Sequence, residues 1–284
     1  MRTTGFLLLG CLAACQADAG AIEPYEETQP SLWCSTVEPP TLAKMDIEQQ
    51  VTHAMQANRA PLAGATIKVY VHVLRRGTGL ENGDVSDDQI HNQLAVLNAA
   101  YHSADFRFEL ASIDRTTSAA WFTMADGTAA EHDAKALLRK GTARDLNLYL
   151  AQPGGGSLGW ASFPSAVKAD PIGDGVVMLY TTLPGGTAGP FDQGDQTVHE
   201  VGHWLGLFHT FQADCRTANG DFVDDTPATD APAFGCPIGR DTCGGGGDDQ
   251  VRNYMDSSDD ACMNTFTPGQ GARMRALYVT FRAG

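Results

Sequence analysis

Between Ala65 and Tyr180 the apolar positions change period several times, and each change marks an element. Ile67, Val69, Val71 and Val73 alternate with Lys68, Tyr70 and His72, the pattern of a half-buried strand over residues 67–74, with His72 a strand residue. From Ser86, an N-cap ahead of Asp87 and Asp88, apolar residues recur at Ile90, Leu94, Leu97 and Tyr101, a helical spacing. Alternation resumes over 106–113. A short helix is predicted over 134–140, a strand over 146–151, an edge strand over 158–163 ended by Pro164, and a buried strand over 176–180. Strands alternating with helices over residues 65–181 predict a twisted, mostly parallel sheet with packing helices.

The flanks read differently. Residues 16–63 are polar and punctuated by Pro24, Pro30, Pro39, Pro40 and Pro61, with one helix predicted over 45–58. After residue 211 the chain is loop-rich, with glycine at 244–247, before a last helix predicted over 268–281. At the start, Arg2 precedes an apolar stretch over 5–14 that is too short for a permanent membrane helix and reads as an export signal. Leu12-Ala13-Ala14-Cys15 resembles the bacterial lipobox, which makes Cys15 a candidate lipid anchor; ordinary cleavage near Ala17 or Ala19, with full secretion, is the alternative. Both routes lead out of the cytoplasm.

Composition narrows the partners. With 284 residues, 43% hydrophobic and 19% charged, the chain can bury a core and is not generally disordered. The formal charge is 19 − 34 = −15, which excludes nucleic acid as a partner, since neutralising phosphate needs a basic face. No apolar run is long enough to span a membrane, so membrane contact is expected only through the lipid anchor. Export also changes the reading of the cysteines. Beyond Cys11 and Cys15, four lie late in the chain (Cys215, Cys236, Cys243, Cys262), enough for two disulfides in any of three pairings, and Cys34 is left over.

The candidate chemistry is concentrated in His199-Glu200-Val201-Gly202-His203-Trp204-Leu205-Gly206-Leu207-Phe208-His209. Residues four apart on a helix face the same way, so His199 and His203 can bind one zinc ion. Gly206 permits a left-handed exit that brings His209 round as third ligand, leaving a fourth position for water. Glu200 flanks the metal and is placed to act as general base and acid.

This segment is the metzincin zinc signature, and Asn253-Tyr254-Met255-Asp256 resembles the turn that sets a methionine beneath the zinc. Gly220-Asp221-Phe222-Val223-Asp224-Asp225-Thr226-Pro227, with Asp259-Asp260-Ala261-Cys262-Met263-Asn264 and Phe266-Thr267-Pro268-Gly269-Gln270, resembles the pappalysin (cytophagalysin/ulilysin-like) family. The resemblance implies an α+β metzincin fold: an α/β-like upper half, a zinc helix, and a loop-rich, disulfide-stapled lower half with a C-terminal helix. It implies Met255 as the floor under the histidines, disulfides Cys215–Cys243 and Cys236–Cys262, and structural calcium at a loop in which Asp221, Asp224 and Thr226 are the candidate ligands. Leu158-Gly159-Trp160-Ala161 fits the family's substrate-binding edge strand. Cys34-Ser35-Thr36 resembles a pro-segment motif that blocks the metal, which implies Cys34 as a zymogen latch; a free or intermolecularly paired thiol is the alternative. Asn58-Arg59 is the candidate processing site, and Asp259 and Asp260 would favour a basic residue after the scissile bond. The chain departs from the family at Ser257, where relatives carry a tyrosine that supports the oxyanion; Tyr254 or a water is left to substitute.

The expected organisation is an export segment (1–15), a pro-segment (16–63) and a metzincin catalytic domain (64–284). The expected function is an exported zinc-dependent endopeptidase acting on proteins or peptides. The alternative is a non-catalytic zinc-binding envelope or adhesion protein, which would not need Glu200. Zinc hydrolysis of a non-peptide amide would use the same machinery.

Overall fold

The computed structural model describes residues 34–57, 62–212, 215 and 220–283. Cys15, the rest of the predicted export segment and Asn58-Arg59 lie outside the described residues. Five strands form one sheet: β1 (Thr66–Arg75), β2 (Arg107–Thr117), β3 (Leu146–Ala151), β4 (Gly159–Ala161) and β5 (Val176–Leu179), in the order β2-β1-β3-β5-β4. All pairings are parallel except that of β4, which runs antiparallel to β5. Ile67, Val69, Val71 and Val73 are fully buried, and β3 is buried along its whole length, because helices cover both faces.

The helices are α1 (Thr41–Ala57), α2 (Asp87–Ala100), α3 (Ala119–Phe122), α4 (Ala129–Leu138), α5 (Asp195–Trp204) and α6 (Pro268–Leu277). On one face, α2 and α5 share a core with the sheet, and the Tyr101 hydroxyl donates to Val198 O at 2.6 Å. On the other, Met124 and Ala134 pack with Tyr149, Trp160 and Val177. α2 starts where Ser86 predicts, with a reciprocal box between Ser86 and Gln89. α6 has the same device at Thr267 and Gln270, then widens into one π-type turn, Tyr278–Arg282. There the buried Arg282 stacks on Trp204 at 3.6 Å and pairs with Asp174 at 3.0 Å, tying the C-terminus to the end of α5.

Several boundaries differ from expectation for physical reasons. β2 runs to Thr117 because a bulge at Ala111 shifts the alternation, and its outer half is polar. β4 is only three residues long, since Gly175 N bonds to the Ser162 hydroxyl at 2.9 Å and does not continue the backbone ladder. α1 starts at Thr41, just after Pro40; Met45 and Leu42 are exposed, so the apolar pattern there misplaced its start. The lower half has little regular structure and carries both disulfides, Cys215–Cys243 and Cys236–Cys262. His72 is fully buried, bonded to Asp114 and to Asn147 Oδ1, as a strand residue.

Candidate metal centre

α5 lies between the sheet layer and the lower half, and every residue from Gln196 to Trp204 is buried. Polar side chains in such a place must be satisfied or must hold something. His199 Nδ1 donates to Tyr254 O at 2.7 Å, and His203 Nδ1 donates to Leu207 O at 2.8 Å. His209 Nδ1 faces the acceptor Glu38 Oε1 at 3.2 Å. With the Nδ1 atoms protonated, the three Nε2 atoms carry lone pairs, and these converge: His203 Nε2 is 3.1 Å from His199 Nε2 and 3.2 Å from His209 Nε2. Lone pairs so close repel unless a cation sits among them. A tetrahedral zinc with bonds of about 2.0–2.1 Å sets its ligand nitrogens about 3.3–3.4 Å apart, so the spacing fits.

The local backbone explains the convergence. Gly206 has φ +97°, and a Cβ there would lie 2.4 Å from Leu277 Cδ1. Its turn brings His209 back to the helix. Beneath, Met255 is fully buried, and a Cβ on Gly202 would come within 2.4 Å of its sulfur. The Met255 turn is held by Asn253, whose Oδ1 accepts from Met255 N at 2.9 Å and whose amide exchanges hydrogen bonds with Gln270 at 2.8 and 3.0 Å.

Cys34 completes the cluster. Its Sγ lies 3.4 Å from His203 Nε2, and among the described residues Cys34, His199, His203 and His209 are the group able to hold one metal ion, with all donor atoms within 4.8 Å. The segment runs parallel to β4, with a Cys34–Gly159 bridge and Ser35 N donating to Gly159 O at 2.9 Å. The Thr36 hydroxyl donates to Glu200 Oε2 at 2.7 Å and accepts from Ala161 N at 2.8 Å. Cys34, Thr36 and Glu38 thus project alternately from one extended face onto the ligand cluster, the glutamate and the third histidine.

Burial dominates the electrostatics. It pushes the Glu200 carboxyl up to about 7, against the Thr36 hydrogen bond, and pushes His199 down to about 4. His203 and His209 are also driven well below the usual imidazole range, by burial and then by neighbouring groups. Neutral rings are what metal ligation requires. Burial and the Glu200 charge raise the Cys34 thiol; a bound divalent ion would oppose that shift.

Other expected residues fall elsewhere. Trp160 lies on β4 but is buried, its indole N–H donating to Glu131 Oε1 at 2.6 Å, so the strand offers a peptide its backbone and not this ring. In the acidic loop the Thr226 hydroxyl lies 2.7 Å from the buried Asp221 Oδ2, whereas Asp224 is exposed. Ser257 N donates to Asp256 Oδ1 at 2.8 Å. Tyr254 packs against Phe266 at 4.9 Å in the main core. Asp260 is also buried, accepting from Gln193 N and Gln196 Nε2 at the start of α5, and is not a free surface charge. Sequence reasoning placed Gly202, Asn253 and Thr36 inside quoted motifs without giving them roles, and missed Glu38.

Known proteins resemble this arrangement. The Peptidase_M43 family, described as Pregnancy-associated plasma protein-A, matches residues 179–278. An extracellular metalloprotease of Pyricularia oryzae is 42% identical over 268 residues, covering 93% of this chain and 89% of the relative. Extracellular metalloprotease 1 of Coccidioides posadasii is 38% identical over 281 residues, covering 98% and 96%. Among solved structures, mirolysin in complex with compound 9 superposes with a TM-score of 0.68 at 31% identity, covering 77% of this chain and 93% of mirolysin. A Tannerella forsythia promirolysin mutant superposes with a TM-score of 0.72 at 29% identity, covering 85% and 88%.

Proposed function

This chain belongs to the pappalysin-like M43 peptidases and is a metalloendopeptidase, and on that premise we propose that Glu200 is its general base and that residues 34–38 hold it latent. The observation that carries the reading is the convergence of three Nε2 lone pairs whose rings are each oriented from behind. His199, His203 and His209 would hold a zinc ion through their Nε2 atoms, and the ion would supply Lewis-acid polarisation of a carbonyl and acidify a water molecule. Glu200 takes a proton from the attacking water and returns it to the departing amine nitrogen, a task suited to a carboxyl near neutrality. The substrate backbone pairs with Gly159 O and Ala161 N on β4, the groups that Ser35 and Thr36 use now.

Latency is supported by the Cys34 thiol filling the fourth corner of the ligand cluster and by Thr36 occupying Glu200. The larger share of this chain matched by promirolysin than by mirolysin supports a pro-segment here too. Purified protein, freed of its pro-segment, should cleave casein; chelation and Glu200→Ala should each abolish cleavage. Zinc retention without turnover would instead favour the binding-protein reading, which Ser257 keeps in view.

Relatives named extracellular metalloproteases support export. Lipidation of Cys15 rests on Leu12-Ala13-Ala14-Cys15 and is read from the mass of the mature N-terminus. Structural calcium at Asp221, Asp224 and Thr226 rests on oxygen-ligand chemistry; a melting temperature that calcium leaves unchanged would remove it.

A further inference from the structure

We infer that the face formed by Phe208, Phe222, Arg273, Ala276, Leu277 and Phe281 is a docking surface for α1 that outlasts cutting of the chain, so that severing it between residues 57 and 62 leaves segment 34–57 bound and the protein latent. The inference deepens the latency reading and rests on it. α1 touches the protein away from the cleft and through a small core of its own: Ile47 and Val51, one helical turn apart, pack on Ala276 and Leu277, with Phe281 alongside. Between them Glu48 pairs with both terminal nitrogens of Arg273, at 2.6 and 2.8 Å. Arg273 is buried, its guanidinium 5.2 Å from the Phe208 ring and 5.6 Å from that of Phe222, so loss of Glu48 would strand a charge in a poorly hydrated place. Lys44 adds a contact over Phe208 at 4.6 Å.

Segment 34–38 in the cleft and α1 outside it are joined by only Pro39 and Pro40, with Lys44 N bonded to Pro40 O. Two sites on so short a connection reinforce each other: release of either leaves the other holding it close. No part of this two-site grip depends on the covalent link at 58–61. The cut alone therefore does not unmask the metal centre; α1 must be displaced or digested.

The test uses the full-length chain with residues 58–61 replaced by the recognition site of an unrelated sequence-specific protease. After cutting, the fragment carrying 34–57 should co-elute with the remainder on gel filtration, and Cys34 should stay slow to react with iodoacetamide. Glu48→Ala should speed release about tenfold or more, since it removes the partly exposed carboxylate that partners the buried Arg273. Gln50→Ala, an exposed position on the same helix, should leave release unchanged. If Glu48→Ala does not fold before cutting, Val51→Thr gives the same readout through the apolar contact. Separation of the wild-type fragment during one column run, or equal release by the Glu48 and Gln50 variants, overturns the inference. Co-elution needs no peptidase activity, so an inactive remainder would count against the proposed function and leave the docking surface standing.

Discussion

At the scale of single residues, the metal centre depends on what is small as much as on what ligates. Gly202 lies between the first two histidines, and Met255 occupies the space its side chain would need. Met255 is fully buried, so its sulfur has little room to yield. Gly202→Ala should therefore destabilise the fold by about 1–3 kcal/mol through overpacking and hasten zinc loss to a competing chelator. Chemical denaturation and a chelator competition measure the two effects; wild-type values in both would show that the contact is loose. The histidines, Glu200 and Gly206 were legible in the sequence because their spacing is itself the geometry. Gly202 was not, because its constraint comes from a residue more than fifty positions away. Asn253 was equally silent: its bond to Met255 N depends on Gln270, which only the fold brings near.

At the scale of elements, the start of α5 carries an unusual charge arrangement. Burial, reinforced by the Asp260 carboxylate, pushes Asp195 up to about 7. An unfolded aspartate titrates near about 3.9, so between about pH 4 and pH 7 the folded state binds more protons there than the unfolded one. This contribution is fully present below the lower value and is lost as pH rises through the upper one. Asp195→Asn should thus raise the melting temperature at pH 8, by about 2–4 °C, and have little effect at pH 4.5. Equal shifts at both pH values would remove the carboxyl from the account. The strands and α2 were legible because alternation and the Ser86 cap act locally. The ends of β2 and β4 were not, since a bulge and a competing Ser162 hydroxyl are set by neighbouring strands. α1 was half legible: Leu42 and Met45 are apolar yet exposed, and the pattern says nothing of the α6 face that covers Ile47 and Val51.

At the scale of the whole molecule, residues near the two ends of the described chain meet across the zinc helix. Arg282 fixes the end of α5, and segment 34–38 closes its open side. The latency proposed above would consequently draw on both ends of the described chain. Cys34→Ala should release activity on casein before any cut, to the extent that Thr36 and α1 no longer suffice to hold the segment; unchanged latency would move the block wholly onto those two. The upper half was foreseeable from hydrophobic pattern alone. In the lower half the loop-rich texture and the last helix were foreseeable from the residues, but the disulfide pairing only by resemblance, because loop contacts leave no periodic trace.

The blocking strand lies parallel to β4 and meets the histidines and Glu200 with side chains. What it offers the glutamate and the β4 amide is a threonine hydroxyl, and what it offers the histidine cluster is a thiol. Neither group is an amide, so on the proposed latency the guard does not present itself as a substrate to the site it covers. In a pure preparation that reading leaves the cut, and the displacement of α1 that must follow it, to neighbouring molecules. Onset of activity in a pure preparation should therefore show a lag that shortens as the protein is concentrated; a lag independent of dilution would mean that each copy frees itself.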